Sequence, residues 1–96
     1  MPAYVISEVT ILNETTVAAY RPLAKQAALE HGGEYLARDA VPDALEGSFD
    51  PDQRLVIIRF PDADAARAWY SSDAYAKALE AVDGGLRRRL FIVEGL

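Results

Sequence analysis

The stretch Leu55-Val56-Ile57-Ile58, followed after Arg59 by Phe60, reads as a strand without a polar side. Successive side chains of a strand point to opposite faces, so a half-exposed strand alternates apolar and polar residues. An unbroken apolar run belongs to a strand covered on both faces. The rest of the chain supplies two helical regions, and two helices cover one face of a small sheet. A second copy of the chain is the simplest cover for the other. The pattern implies a homodimer formed through the sheet faces.

Outward from that stretch, the chain divides into alternating elements. Tyr4 to Leu12 is rich in Val, Ile and Thr and reads as a first strand. Asn13 can cap a helix whose first turn carries Glu14. Val17, Tyr20, Ala24, Ala27, Ala28 and His31 follow helical spacing along it. Pro22 predicts a kink or an irregular first turn, and Gly32-Gly33 ends the helix. A second strand is expected from Glu34 to Leu45, with Gly47 to Gln53 as a connection and Arg54 to Phe60 as the third strand. Asp62 then caps a second helical region, which Ser71-Ser72-Asp73 breaks and caps afresh. Its second part presents Tyr75, Ala78, Leu79 and Val82 on one face, and Gly84-Gly85 stops it. Arg89 to Glu94 is the expected last strand. The order β-α-β-β-α-β is the split βαβ unit of the ferredoxin-like fold. It predicts one α+β domain over residues 1–96, a four-stranded antiparallel sheet with helices on one face.

Composition narrows the function classes. Ninety-six residues make one domain that buries only roughly 60–65% of its unfolded surface. Hydrophobic residues make up 51% of it, more than so small a monomer easily hides, which agrees with a shared core. Fifteen acidic against ten basic residues leave a net charge of −5, a field that repels nucleic acid. The chain has no cysteine and one histidine, so disulfides, thiolate chemistry and a zinc site are not expected. No signal-peptide pattern and no membrane-length apolar run occurs, and a cytoplasmic protein of a GC-rich bacterium is the simplest expectation. Phosphate-loop, EF-hand and nucleophile-elbow patterns are absent.

Several segments fall in a familiar order. They are Gly32-Gly33-Glu34-Tyr35-Leu36-Ala37-Arg38, Leu45-Glu46-Gly47, Ala66-Arg67-Ala68-Trp69-Tyr70-Ser71-Ser72-Asp73-Ala74-Tyr75 and Val93-Glu94-Gly95. Together they resemble the bacterial family called domain of unknown function 1330, part of the dimeric α/β-barrel superfamily. The resemblance spans nearly the whole chain and implies two ferredoxin-like sheets packed face to face. It also implies a pocket between helices and sheet. Superfamily relatives include cofactor-free monooxygenases, muconolactone isomerases, haem enzymes and stress-response proteins. This chain departs from the family pattern twice. Asp39-Ala40 stand where Gly-Gly is common after the arginine, and Val82 stands where an arginine is common.

The candidate site residues follow. His31 is the one side chain suited to acid–base work at neutral pH, and its alternative role is that of a helix-end residue. Tyr20, Trp69 and Tyr75 are either core aromatics or the wall of a pocket for a small apolar or aromatic ligand. Arg38 and Arg59 lie in expected strands and need partners: Glu8, Glu46 and Glu94 are available for an ion pair across the dimer, or else the arginine binds a carboxylate. Arg87-Arg88-Arg89 reads as a solvated run at the start of a strand, or as an anion-binding patch. Pro2, if exposed as an N-terminal amine, would suit a tautomerase. The reading that results is a small-molecule-binding dimeric barrel. It is a cofactor-free isomerase or monooxygenase, or else a non-catalytic binding, stress-associated or assembly module. No metal or organic cofactor is expected.

Overall fold

A computed structural model describes residues 1–96. The elements are β1 (Ala3–Ile11), α1 (Glu14–Glu30), β2 (Glu34–Ala40), β3 (Gln53–Phe60), α2 (Ala63–Tyr70), α3 (Asp73–Val82) and β4 (Leu86–Glu94). The four strands form one antiparallel sheet in the order β2-β3-β1-β4, the expected ferredoxin-like arrangement. No helix is long and apolar enough to cross a membrane.

Caps set the helix starts. The Asn13 side chain accepts from the amides of Thr15 and Thr16, Asp62 from Ala65, and Ser72 from Tyr75. Ser72 also donates to the Trp69 carbonyl at 2.7 Å, so one hydroxyl joins the end of α2 to the start of α3. The helices bring mostly alanine to the sheet: Ala24, Ala27 and Ala28 from α1, Ala66 from α2 and Ala78 from α3. These small residues let the helices lie close, and the volume is filled by Phe60, Trp69 and Tyr75. Trp69 packs on Tyr75 with ring centroids 4.3 Å apart and on Phe60 at 5.4 Å.

β3 is apolar on both faces. Ile58 and Phe60 belong to the core beneath the helices, and Val56 packs against it. Leu55 and Ile57 point the other way. The register places Ile57 and Phe91 on either side of Ile6, and Tyr4 beside Val93, so the outer face of the sheet carries a contiguous apolar surface.

Two expectations are corrected. β2 stops at Ala40 instead of Leu45, and Leu45 is 92% exposed. Its pairing with β3 shifts register twice, between Tyr35 and Ala37 and between Ala37 and Ala40. Each shift inserts an extra residue, bends the strand and ends the ladder early. β4 begins at Leu86, three residues before Arg89, because its pairing with β1 runs to Ile11 opposite Leu86. The Gly85 carbonyl anchors this start by accepting from the amides of Leu12 and Asn13. The helix α1 contains Pro22, which sits on its exposed side.

Candidate functional site

A cavity of about 50 Å³ lies between α1 and the sheet. Its floor is the inner face of β1, β3 and β4, including Val5, Ser7, Val9, Val56, Ile58 and Leu90. Val17, Tyr20 and Ala24 of α1 cover it, Tyr35, Arg38 and Asp39 of β2 border it, and Trp69 closes it from α2. The walls are largely apolar with a few polar groups, the usual composition of a small-molecule site.

Arg88 reaches the cavity from β4. Strand alternation puts it on the same face as Leu86, Leu90 and Ile92. Its Nη1 donates to the Tyr20 hydroxyl at 2.9 Å and its Nη2 to the Tyr75 hydroxyl at 2.5 Å. The two hydroxyls are 2.7 Å from each other. The four ion pairs of the chain are Arg21–Glu14, Arg21–Asp39, Arg67–Asp64 and Arg89–Glu8, so Arg88 has no carboxylate partner. Burial weakens the hold of Arg88 on its proton, and the two phenol oxygens more than offset this, leaving the guanidinium above its ordinary range. Desolvation, reinforced by Tyr20, pushes the Tyr75 phenol far above the ordinary tyrosine range. Burial likewise pushes Tyr35 up to about 12, with Tyr20 adding and Arg38 and Arg88 opposing. Tyr35 and Tyr75 are therefore neutral donors at physiological pH.

The hydroxyl protons can be assigned by satisfaction. Tyr75 is fully buried, and its oxygen accepts from Arg88. The one acceptor in reach of its own proton is the Tyr20 oxygen, and a buried hydroxyl left without a partner costs about 1–3 kcal/mol. Tyr75 therefore donates to Tyr20. Tyr20 then accepts from Tyr75 and from Arg88, and its own hydrogen, on a partly exposed side chain, is left free of any protein acceptor. Ser7 Oγ and Trp69 Nε1 are buried and unpartnered, and both residues line the cavity. Two buried polar groups thus border one cavity without a partner. The single carboxylate there, Asp39, is occupied: Arg21 holds its Oδ2 through Nε at 3.1 Å and Nη2 at 3.0 Å.

Of the candidate residues, the fold brings Tyr20, Arg38 and Trp69 to the cavity, and Tyr75 adjoins it through Tyr20 and Arg88. Arg38 is exposed, with its guanidinium 5.8 Å from the centre of the Tyr35 ring, and it pairs with none of Glu8, Glu46 or Glu94. Arg59 is also unpaired, and Glu8 instead binds Arg89 at 2.6 Å. His31 does not reach the cavity. It caps α1, with Nδ1 2.9 Å from the Ala27 carbonyl oxygen. Pro2 is not part of the lining, and its carbonyl accepts from the Gly95 amide.

Sequence reasoning did not place Ser7, Arg21 or Asp39 at a site, and it offered Arg88 only as part of an anion-binding run. The run Arg87-Arg88-Arg89 is not uniform: Arg87 and Arg89 are exposed, while Arg88 turns inward. The period-two alternation of Leu86, Arg88, Leu90 and Ile92 was the available signal. The two family departures also acquire a physical meaning. Asp39 adopts φ +53, the left-handed region where glycine is at ease, and its bond to Arg21 helps hold it there. Val82 is buried in α3, so the cavity's cations come from Arg21, Arg38 and Arg88 instead.

Solved structures with this fold are numerous. A protein of unknown function from Rhodopseudomonas palustris, RPA0582, aligns with a TM-score of 0.78 at 17% identity, over 99% of this chain and 82% of that one. A dimeric ferredoxin-like protein of unknown function from Jannaschia sp. CCS1 aligns at 0.74 and 14% identity, over 99% and 100%. SnoaB, a cofactor-independent oxygenase from Streptomyces nogalater, aligns at 0.71 and 8% identity, over 99% and 93%. At these identities the likeness establishes the fold. No curated protein matches the sequence. The sequence model of one family matches residues 2–96, and the chain belongs to that family, the domain of unknown function DUF1330.

Proposed function

We propose that this protein is a homodimer whose subunits each bind a small organic molecule in the cavity beneath α1. The molecule carries at least one acceptor oxygen on an apolar or aromatic body. The observation that carries this reading is the pair of buried polar groups without partners, Ser7 Oγ and Trp69 Nε1, around one apolar space that the Tyr20 hydroxyl adjoins. Leaving a buried donor unpaired costs free energy, and a ligand oxygen removes that cost on binding. The dimer is supported by the apolar outer face around Ile6, Ile57 and Phe91, and by the dimeric relative from Jannaschia.

The chemistry that suits the site is proton handling on a bound carbonyl or phenol. Tyr20 would donate to the ligand oxygen, and Arg88 would steady negative charge building there. Isomerisation or oxygenation of a substrate that supplies its own electrons fits such a site, and the fold shared with the cofactor-independent oxygenase SnoaB supports the second. A binding module without turnover is favoured by a separate observation, the distance of His31 from this cavity.

Trp69 is the one tryptophan, so its emission reports on the cavity directly. Titration with a panel of small aromatic ketones, phenols and acids should give saturable changes in emission with one ligand per subunit. A parallel record of oxygen uptake separates turnover from binding. If no compound changes either the emission or the thermal midpoint, the cavity is not a ligand site.

A further inference from the structure

Charge is distributed unevenly in this protein. The chain carries a net −5, yet three arginines, Arg21, Arg38 and Arg88, border the cavity against one carboxylate, that of Asp39. Clustering cations against the overall sign of the molecule favours an anion at that place.

Size adds a second constraint. A space of about 50 Å³ holds a few waters, whereas an apolar cavity that takes up benzene measures about 150 Å³. A ring-sized ligand enters only if a wall withdraws. The wall best suited to withdraw is the one around Asp39. It lies on the edge strand β2, beside a register shift, at φ +53, and residues 41–52 beyond it include no helix and no strand. Its side-chain tie across the cavity is the ion pair with Arg21 on α1. Both side chains are about one-third exposed, and a partly exposed pair of this kind is weak enough to exchange partners.

We infer that the ligand is a small organic monocarboxylate, whose carboxylate takes over Arg21 from Asp39 as the Asp39 bulge swings outward. Asp39 already shows the geometry, since one of its oxygens sits within 3.1 Å of both Nε and Nη2 of Arg21. Asp39 occupies on Arg21 the place that the ligand's own charged group would take. Its displacement enlarges the cavity at the moment the ligand body enters. This inference rests on the cavity being a small-molecule site and adds the charge of the ligand and the residue it competes with.

Calorimetric titration of benzoate and of benzamide, its neutral counterpart, tests it in the wild-type protein, Asp39→Asn and Arg21→Gln. Asparagine tolerates positive φ as aspartate does, so Asp39→Asn keeps the backbone, and its thermal midpoint verifies this. The expected result is benzoate binding at least about tenfold tighter than benzamide, since a charge-assisted hydrogen bond is worth roughly a decade in affinity. Asp39→Asn removes the nearer competitor, leaving Glu14 3.9 Å from Arg21, and should tighten benzoate by about tenfold again without changing benzamide. Arg21→Gln should abolish the preference. Equal affinity for both probes overturns the inference, and so does weaker benzoate binding in Asp39→Asn, which would make Asp39 a positioning residue for Arg21. If neither probe binds but neutral ketones or phenols do, the inference falls and the small-molecule reading stands. If nothing binds, that reading falls as well.

Discussion

Tyr20 and Tyr75, 55 residues apart in the chain, share a 2.7 Å hydrogen bond between their hydroxyls at the border of the cavity. One tyrosine comes from α1 and the other from α3, and Arg88 on β4 donates to both. The buried Tyr75 hydroxyl keeps its proton and donates a hydrogen bond to the cavity-lining Tyr20 oxygen. That leaves the Tyr20 hydrogen free for another acceptor.

Removing the inner hydroxyl with Tyr75→Phe should destabilise the protein by about 1–3 kcal/mol, because Arg88 loses an acceptor in a desolvated setting. Urea unfolding of the two proteins measures this. A loss below about 0.5 kcal/mol, the size of an ordinary surface change, would mean that the hydroxyl makes no bond of consequence.

Trp69 is 1% exposed and touches the rings of Phe60, Tyr70 and Tyr75. Trp69→Ala should cost about 3–5 kcal/mol, the range for emptying a large core site. A measured loss under about 1 kcal/mol would contradict its place in the core.

Alkaline pH should weaken the fold through Tyr35 and Tyr75. Both phenols hold their protons more tightly in the folded state, Tyr35 up to about 12. Below the unfolded tyrosine value near 10 both states are protonated, and this contribution is fully present. Above it the unfolded chain releases protons that the folded chain keeps, so stability falls as pH rises from about 10 toward 12. Urea midpoints at successive pH values should decline across that window, and Tyr35→Phe should make the decline shallower. A flat profile would show that these phenols are no more desolvated than in the unfolded chain.

For the proposed dimer, Ile57→Asp places a charge at the centre of the outer sheet face, beside Ile6. An interface of the obligate type buries roughly 2,000 Å² or more in total, and a buried unpaired charge disrupts it. Light scattering should report a dimer for the wild-type chain and a monomer for the variant. A wild-type monomer at micromolar concentration would end the proposal.

His31→Ala should leave ligand binding at the cavity unchanged and shift stability by only about 0.3–1 kcal/mol, the scale of a helix-end interaction. If instead turnover of an identified substrate fell about 10²-fold or more, His31 would be the base after all.

The order of elements was legible in the sequence because it rests on local physics. Asn13, Asp62 and Ser72 cap helices through side-chain atoms two or three residues from the amides they receive. The two-sided run Leu55 to Ile58 shows in the sequence that β3 needs cover on both faces. Strand ends were less legible. The stop at Ala40 follows from two register shifts against β3, and the start at Leu86 from pairing along β1, and neither partner is a sequence neighbour. The cavity was decided by tertiary structure almost entirely. Arg88 meets Tyr20 and Tyr75 across separations of 68 and 13 residues, and Arg21 of α1 meets Asp39 of β2 across 18. Sequence determines which side chains can donate, accept or carry charge. The packing of three helices on one twisted sheet decides which of them share a desolvated space, and there a missing partner has a measurable cost.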